Sequence, residues 1–111
     1  MNNFEDGAKI EGSAEKILTG EEVMEQIKKR FDKAEFVREL KDENGLYLLE
    51  AQERGETSGE FTLYVYQRKG NFGKYSSIAT TLEKVYFEND GPIGGDLIAE
   101  YDISTGEWID K

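Results

Sequence analysis

The stretch Leu18-Thr19-Gly20-Glu21-Glu22-Val23 decides the start of the fold. Thr19 suits a helix N-cap, and Glu22 lies three residues on, which completes a capping box. Leu18 before the cap and Val23 four positions into the helix are spaced for the hydrophobic staple that accompanies such a box. Apolar residues then recur at Val23, Met24, Ile27, Phe31 and Ala34, one stripe at helical period. Glu21, Glu22 and Glu25 fill the first turns, and Lys28, Lys29, Arg30 and Lys33 the last. That order complements the helix dipole. The pattern predicts a helix over about 20–33, with the basic cluster as a solvated helix end rather than a phosphate patch.

After the helix the hydrophobic period drops to two. Residues 36–41 read as a strand, Asp42-Glu43-Asn44-Gly45 as a tight hairpin turn, and 46–54 as the returning strand. A loop bounded by Gly55 and Gly59 leads to a strand at 61–69, rich in aromatic and β-branched residues. The loop 70–77 leads to a long strand at 78–88. In that strand the apolar phase changes between Leu82 and Val85, which predicts a β-bulge near Glu83 and Lys84. Residues 89–95 read as a turn region. A strand around 97–103 and a short terminal one at 107–109 complete the chain. Short connections favour sequential antiparallel pairing. The predicted class is α+β, with one N-terminal amphipathic helix on a curled antiparallel sheet of five or six strands. The order of elements is similar to the cystatin and NTF2 architectures. It is a likeness of arrangement alone and carries no function.

Residues 1–12 show no hydrophobic period and are expected to form a flexible arm, leaving 13–111 as a single domain. The size is that of one domain. Leu, Ile, Val and Phe account for 26 of 111 residues, above the roughly 20 % below which a highly charged chain stays disordered. The N-terminus has no basic region followed by an apolar one, and no apolar run approaches the roughly 20 residues that span a bilayer. The expected location is cytoplasmic, away from membranes.

Composition narrows the chemistry. The chain has no histidine and no cysteine, which excludes a Ser-His-Asp triad, a thiol nucleophile and Cys- or His-ligated metal sites. No cofactor, metal or catalytic residue is expected, and the chain does not read as an enzyme. Gly70-Asn71-Phe72-Gly73-Lys74 lacks the strand-to-helix setting and spacing of a phosphate loop. Glu88, Asn89, Asp90 and Asp96 do not match a calcium-loop spacing, and a turn uses the same residues.

The net charge is −10. It disfavours nucleic acid and anionic membrane as partners and favours a basic protein. The leading expectation is a small acidic binding module acting by protein–protein contact. An inhibitor or immunity-type protein that blocks a nucleic-acid-binding enzyme is its sharper form. The alternative is a small-molecule binder or lyase-like enzyme using a cavity between helix and sheet. The two differ in whether that space is filled or hollow. In the third strand, Phe61, Leu63 and Val65 alternate with Thr62, Tyr64, Tyr66 and Arg68. If the first set faces the helix, Tyr64, Tyr66 and Arg68, with Phe72 from the next loop, form the partner-binding surface. Tyrosine and arginine give large contact area with a polar end.

Overall fold

The computed structural model describes residues 16–42, 45–68 and 80–111. The expected arm 1–12, the loop 70–77 with Phe72, and the start of the fourth strand lie outside these residues.

Helix α1 spans Gly20–Arg30. Thr19 caps it in extended conformation. The Glu22 amide donates to Thr19 Oγ1 at 3.2 Å, and the Thr19 amide donates to Glu22 Oε1 at 3.0 Å. Each half of this box satisfies an amide that the helix leaves unbonded. The bond from the Thr19 amide is the main reason the Glu22 carboxyl titrates below its ordinary range. Leu18 and Val23 are both buried, as the staple requires. The helix ends three residues earlier than its periodicity suggests. Phe31 leaves helical conformation (φ −141°, ψ 84°) and stacks on Tyr64, with ring centroids 4.2 Å apart.

Six strands follow: β1 (Glu35–Asp42), β2 (Gly45–Arg54), β3 (Phe61–Arg68), β4 (Thr80–Glu88), β5 (Gly91–Asp102) and β6 (Glu107–Asp110). They form one antiparallel sheet in sequence order, with β1 and β6 as its terminal strands among the described residues. The class is therefore α+β: among the described residues, a single helix packs against a six-stranded antiparallel meander. Gly45 opens β2 at φ +120°, a conformation that favours glycine and fits the Asn-Gly hairpin signal.

Two features differ from the sequence reading. The register shift beside Glu83 is present, but the extra residue is Ile98 on β5, not one in β4. β4 itself pairs with β3 without interruption from Thr80 to Phe87. Its apolar phase changes because Leu82 lies under the helix while Val85 and Phe87 lie on the opposite face. Second, residues 91–95 are strand rather than turn, so the strand expected around 97–103 begins at Gly91. Only Asn89 and Asp90 turn the chain. Glycine and the one proline are tolerated here because, among the described residues, only β4 flanks this stretch.

Val23 and Ile27 of the helix pack onto Leu46, Leu49, Ala51, Tyr64, Tyr66, Leu82, Ala99 and Tyr101 in one core. Replacing Thr19 by alanine removes the cap acceptor and should cost about 1 kcal/mol in a denaturant titration. Glu22→Gln should lose stability relative to wild type at neutral pH. The gap should close as pH falls through the depressed Glu22 pKa, because a carboxylate held below its unfolded value stabilises only while ionised.

Candidate protein interface

The expected surface on β3 is inverted. Tyr64 and Tyr66 are each 1 % exposed and Arg68 is 5 % exposed. All three point at the helix side, while Phe61, Leu63 and Val65 take the opposite face. The reason is geometric. The gap between a helix and a sheet needs long side chains, and all three find polar or aromatic partners there. Tyr64 stacks on Phe31 and donates to Glu53 Oε1 at 2.8 Å. Tyr66 packs against the Trp108 ring at 5.9 Å between centroids. Arg68 donates from Nε to the Leu46 carbonyl at 2.8 Å and from Nη2 toward the Gly45 carbonyl at 3.4 Å. A buried guanidinium is tolerated where carbonyls accept its protons. Phe72, the fourth expected contact residue, lies outside the described residues.

Burial sets the chemistry of these tyrosines. Desolvation pushes the Tyr66 hydroxyl up to about 12. Burial, reinforced by the hydrogen bond to Glu53, raises Tyr64 as well. Burial also raises Tyr101, whose hydroxyl has no hydrogen-bond partner among the described residues. All three remain neutral donors at physiological pH.

Among the described residues, these rings pack with Ile27, Leu46, Leu49 and Leu82 in one buried core between helix and sheet. Grooves lie at the margins instead. One of about 320 Å³ runs between Lys33 and β1 and is lined by Glu35, Phe36, Val37, Glu53 and Arg54, among others. Another, of about 170 Å³, lies between the β2–β3 loop and the β4–β5 turn. Those two turns are in contact. Gly59 has φ +90°, and the Asn89 amide occupies the space where its Cβ would stand. Among the described residues, no group of three or more acids is placed to hold a metal ion. No helix among them is long and apolar enough to cross a membrane.

Charge is unevenly placed. Residues 16–42, the helix and β1, hold seven acids and seven bases. Residues 80–111, strands β4 to β6, hold eight acids and two bases. Both of those bases are engaged. Lys84 Nζ lies 5.2 Å from the Phe31 ring centroid and 5.1 Å from that of Tyr86, and Lys111 pairs with Glu100 at 3.0 Å. Three of the exposed large apolar side chains fall in the same acidic half: Ile93 at 61 %, Leu97 at 41 % and Ile109 at 47 %. The sequence reading does not mark them, because it places Ile93 in a turn and assigns Leu97 and Ile109 to strands without fixing which of their residues are exposed. The run Gly91-Pro92-Ile93-Gly94-Gly95 held the one usable signal, since proline and paired glycines in a strand mark an edge. Among the described residues, β6 covers β5 only from Ala99 onward, with one further bond from the Lys111 amide to the Ile98 carbonyl.

Comparison with protein-family models, with curated proteins and with solved structures finds no match.

Two outcomes check this account of the core. Tyr66→Ala should destabilise the fold by about 3 kcal/mol or more, the usual cost of truncating a buried aromatic. A loss under about 1 kcal/mol in equilibrium unfolding would place Tyr66 at the surface. In a spectrophotometric alkaline titration, part of the tyrosine absorbance should appear only well above pH 10. A tyrosine raised above its unfolded value contributes stability that is full below about pH 10, where unfolded tyrosine titrates. That stability is lost as pH rises toward 12, the value for Tyr66.

Proposed function

We propose that the protein is a non-catalytic binding module that engages a basic protein through its β4–β6 half. The observation that carries this reading is the coincidence of excess negative charge with exposed Ile93, Leu97 and Ile109 on one part of the sheet. Acidic residues steer a basic partner to the surface and set the salt dependence of the encounter. The apolar side chains supply contact area once water is excluded. The filled core supports this reading over a ligand cavity between helix and sheet. Blocking a nucleic-acid-binding enzyme is the sharper form of the same reading, because such an enzyme presents a basic surface shaped for phosphate.

The test is capture from a native lysate with wild type, with Ile93→Ser/Leu97→Ser, and with Phe36→Ser on the far edge. All three replaced residues are exposed, so folding should be nearly unchanged. The expected result is a species retained by wild type and Phe36→Ser, eluted by salt and lost with the double variant. A captured set indifferent to the double variant and to salt would refute the assignment.

A further inference from the structure

We propose that two copies of this chain pair through the outer edges of their β1 strands, antiparallel about Leu40, to form one continuous sheet across a two-fold axis. β1 is the terminal strand of the sheet, and no described strand pairs with its outer side. An open strand edge is a template for another strand, and native edges are covered or guarded. Phe36, Val37 and Leu40 on β1 are 53 %, 44 % and 39 % exposed.

The sequence of β1 selects the occupant. Arg38-Glu39-Leu40-Lys41-Asp42 is complementary to itself when reversed. With Leu40 on the axis, Leu40 meets Leu40 of the second copy. Glu39 then meets Lys41, and Arg38 meets Asp42, on both sides of the axis. Every charged position in the run faces the opposite charge, which stabilises cross-strand pairs. Neighbouring registers fail. A two-fold perpendicular to the sheet keeps each face continuous, so the register moves in steps of two residues. One step brings Glu39 against Glu39. The other brings Lys41 against Lys41. Like charges directly opposite are destabilising, so the pattern singles out the register centred on Leu40.

The backbone is suited to this pairing. Two irregularities interrupt the β1–β2 register. The extra residue at the first is Val37, before the run begins, and at the second it is Tyr47, on β2. β1 therefore runs regularly through Arg38–Asp42. Leu40 pairs with Leu48 of β2. Pairing about Leu40 thus lines up Leu48, Leu40, Leu40 and Leu48 in one apolar row on the sheet face away from the helix. The existing partners of these charges do not oppose it. Arg38 pairs with Glu50 at 2.8 Å and Lys41 with Glu39 at 3.5 Å, with both bases more than half exposed. The two bases stay largely in water, so each can turn toward a new carboxylate at little cost.

The edge is distinct from the acidic β5–β6 margin, so the two proposals fail separately. Sedimentation of the wild-type chain should give a concentration-dependent species of twice the 12.6 kDa monomer mass. Leu40→Lys should shift it to monomer at concentrations where wild type is dimeric. Arg38→Glu/Lys41→Glu and Glu39→Lys/Asp42→Lys should each be monomeric, and mixing the two should restore the dimer, because every opposed pair is again of opposite sign. Circular dichroism of each variant confirms folding, which matters for Glu39 since its carboxylate lies against Gly20 at the helix start. The chain has no cysteine of its own, so an oxidised Leu40→Cys variant should form a disulfide-linked dimer. A Val37→Cys variant, whose thiols would stand about 20 Å apart at six strand residues, should not. A wild-type chain that stays monomeric at every concentration reached overturns the proposal. A dimer unaffected by Leu40→Lys, or equal cross-linking at positions 37 and 40, overturns it too.

Discussion

One short helix has to shield a sheet much larger than itself, and most of the structure follows from that mismatch. Eleven residues of helix span about 16 Å. β5 alone has 12 residues, about 40 Å of strand. Val23 and Ile27 cannot reach the margins of such a surface. The rings of Tyr64, Tyr66, Tyr101 and Trp108 carry the packing outward from them, with Phe31 folding back from the helix end to lie on Tyr64. Arg30 extends the same layer, lying over the Trp108 ring at 5.5 Å and pairing with Asp110 at 2.6 Å. The early end of the helix is part of this arrangement, since a helical Phe31 would continue the stripe instead of turning onto the sheet.

No described helix covers the opposite face. Phe61 and Phe87 stack there across β3 and β4, with centroids 4.7 Å apart and rings within 3° of parallel. Leu63 and Val65 sit beside Val85 in the same layer, half-buried by their cross-strand neighbours. A face of this kind keeps its solubility through charge at its borders, and a net −10 supplies it. The same mismatch explains why apolar residues alternate on both phases of β3. Both faces of the central strands are partly apolar, one under the helix and the other open.

That double patterning marks the limit of what the residues alone could reveal. The capping box, the staple and the dipole-ordered charges are local signals, complete within about a dozen residues, and they located the helix start to the residue. Strand existence and antiparallel order were also legible, because turns and period-two runs are local. Which face of β3 turns inward is not a local property. Tyr64 and Phe61 are both large and partly apolar, so the choice depends on Phe31, Glu53 and Trp108, which are distant in sequence. The acidic character of the C-terminal third could be counted directly, but its exposed apolar residues could not. Ile93 and Leu97 differ from core residues in having a described strand, β4, on one side only, a fact of topology.

The two sheet margins consequently have different characters. β1 alternates charge and is neutral as a unit with the helix, so its edge neither attracts nor repels by net field. What it can recognise is pattern, one register at a time. The β5–β6 margin is acidic throughout, with no such alternation, so its field acts beyond contact distance and selects partners by sign before any side chain touches. A second copy of the chain, itself at −10, is repelled from the acidic margin and meets no such barrier at β1. The asymmetry of charge along one meander thus separates the two kinds of encounter. On the two proposals made above, self-pairing falls to the neutral edge and a basic partner to the acidic one, five strands away across the sheet.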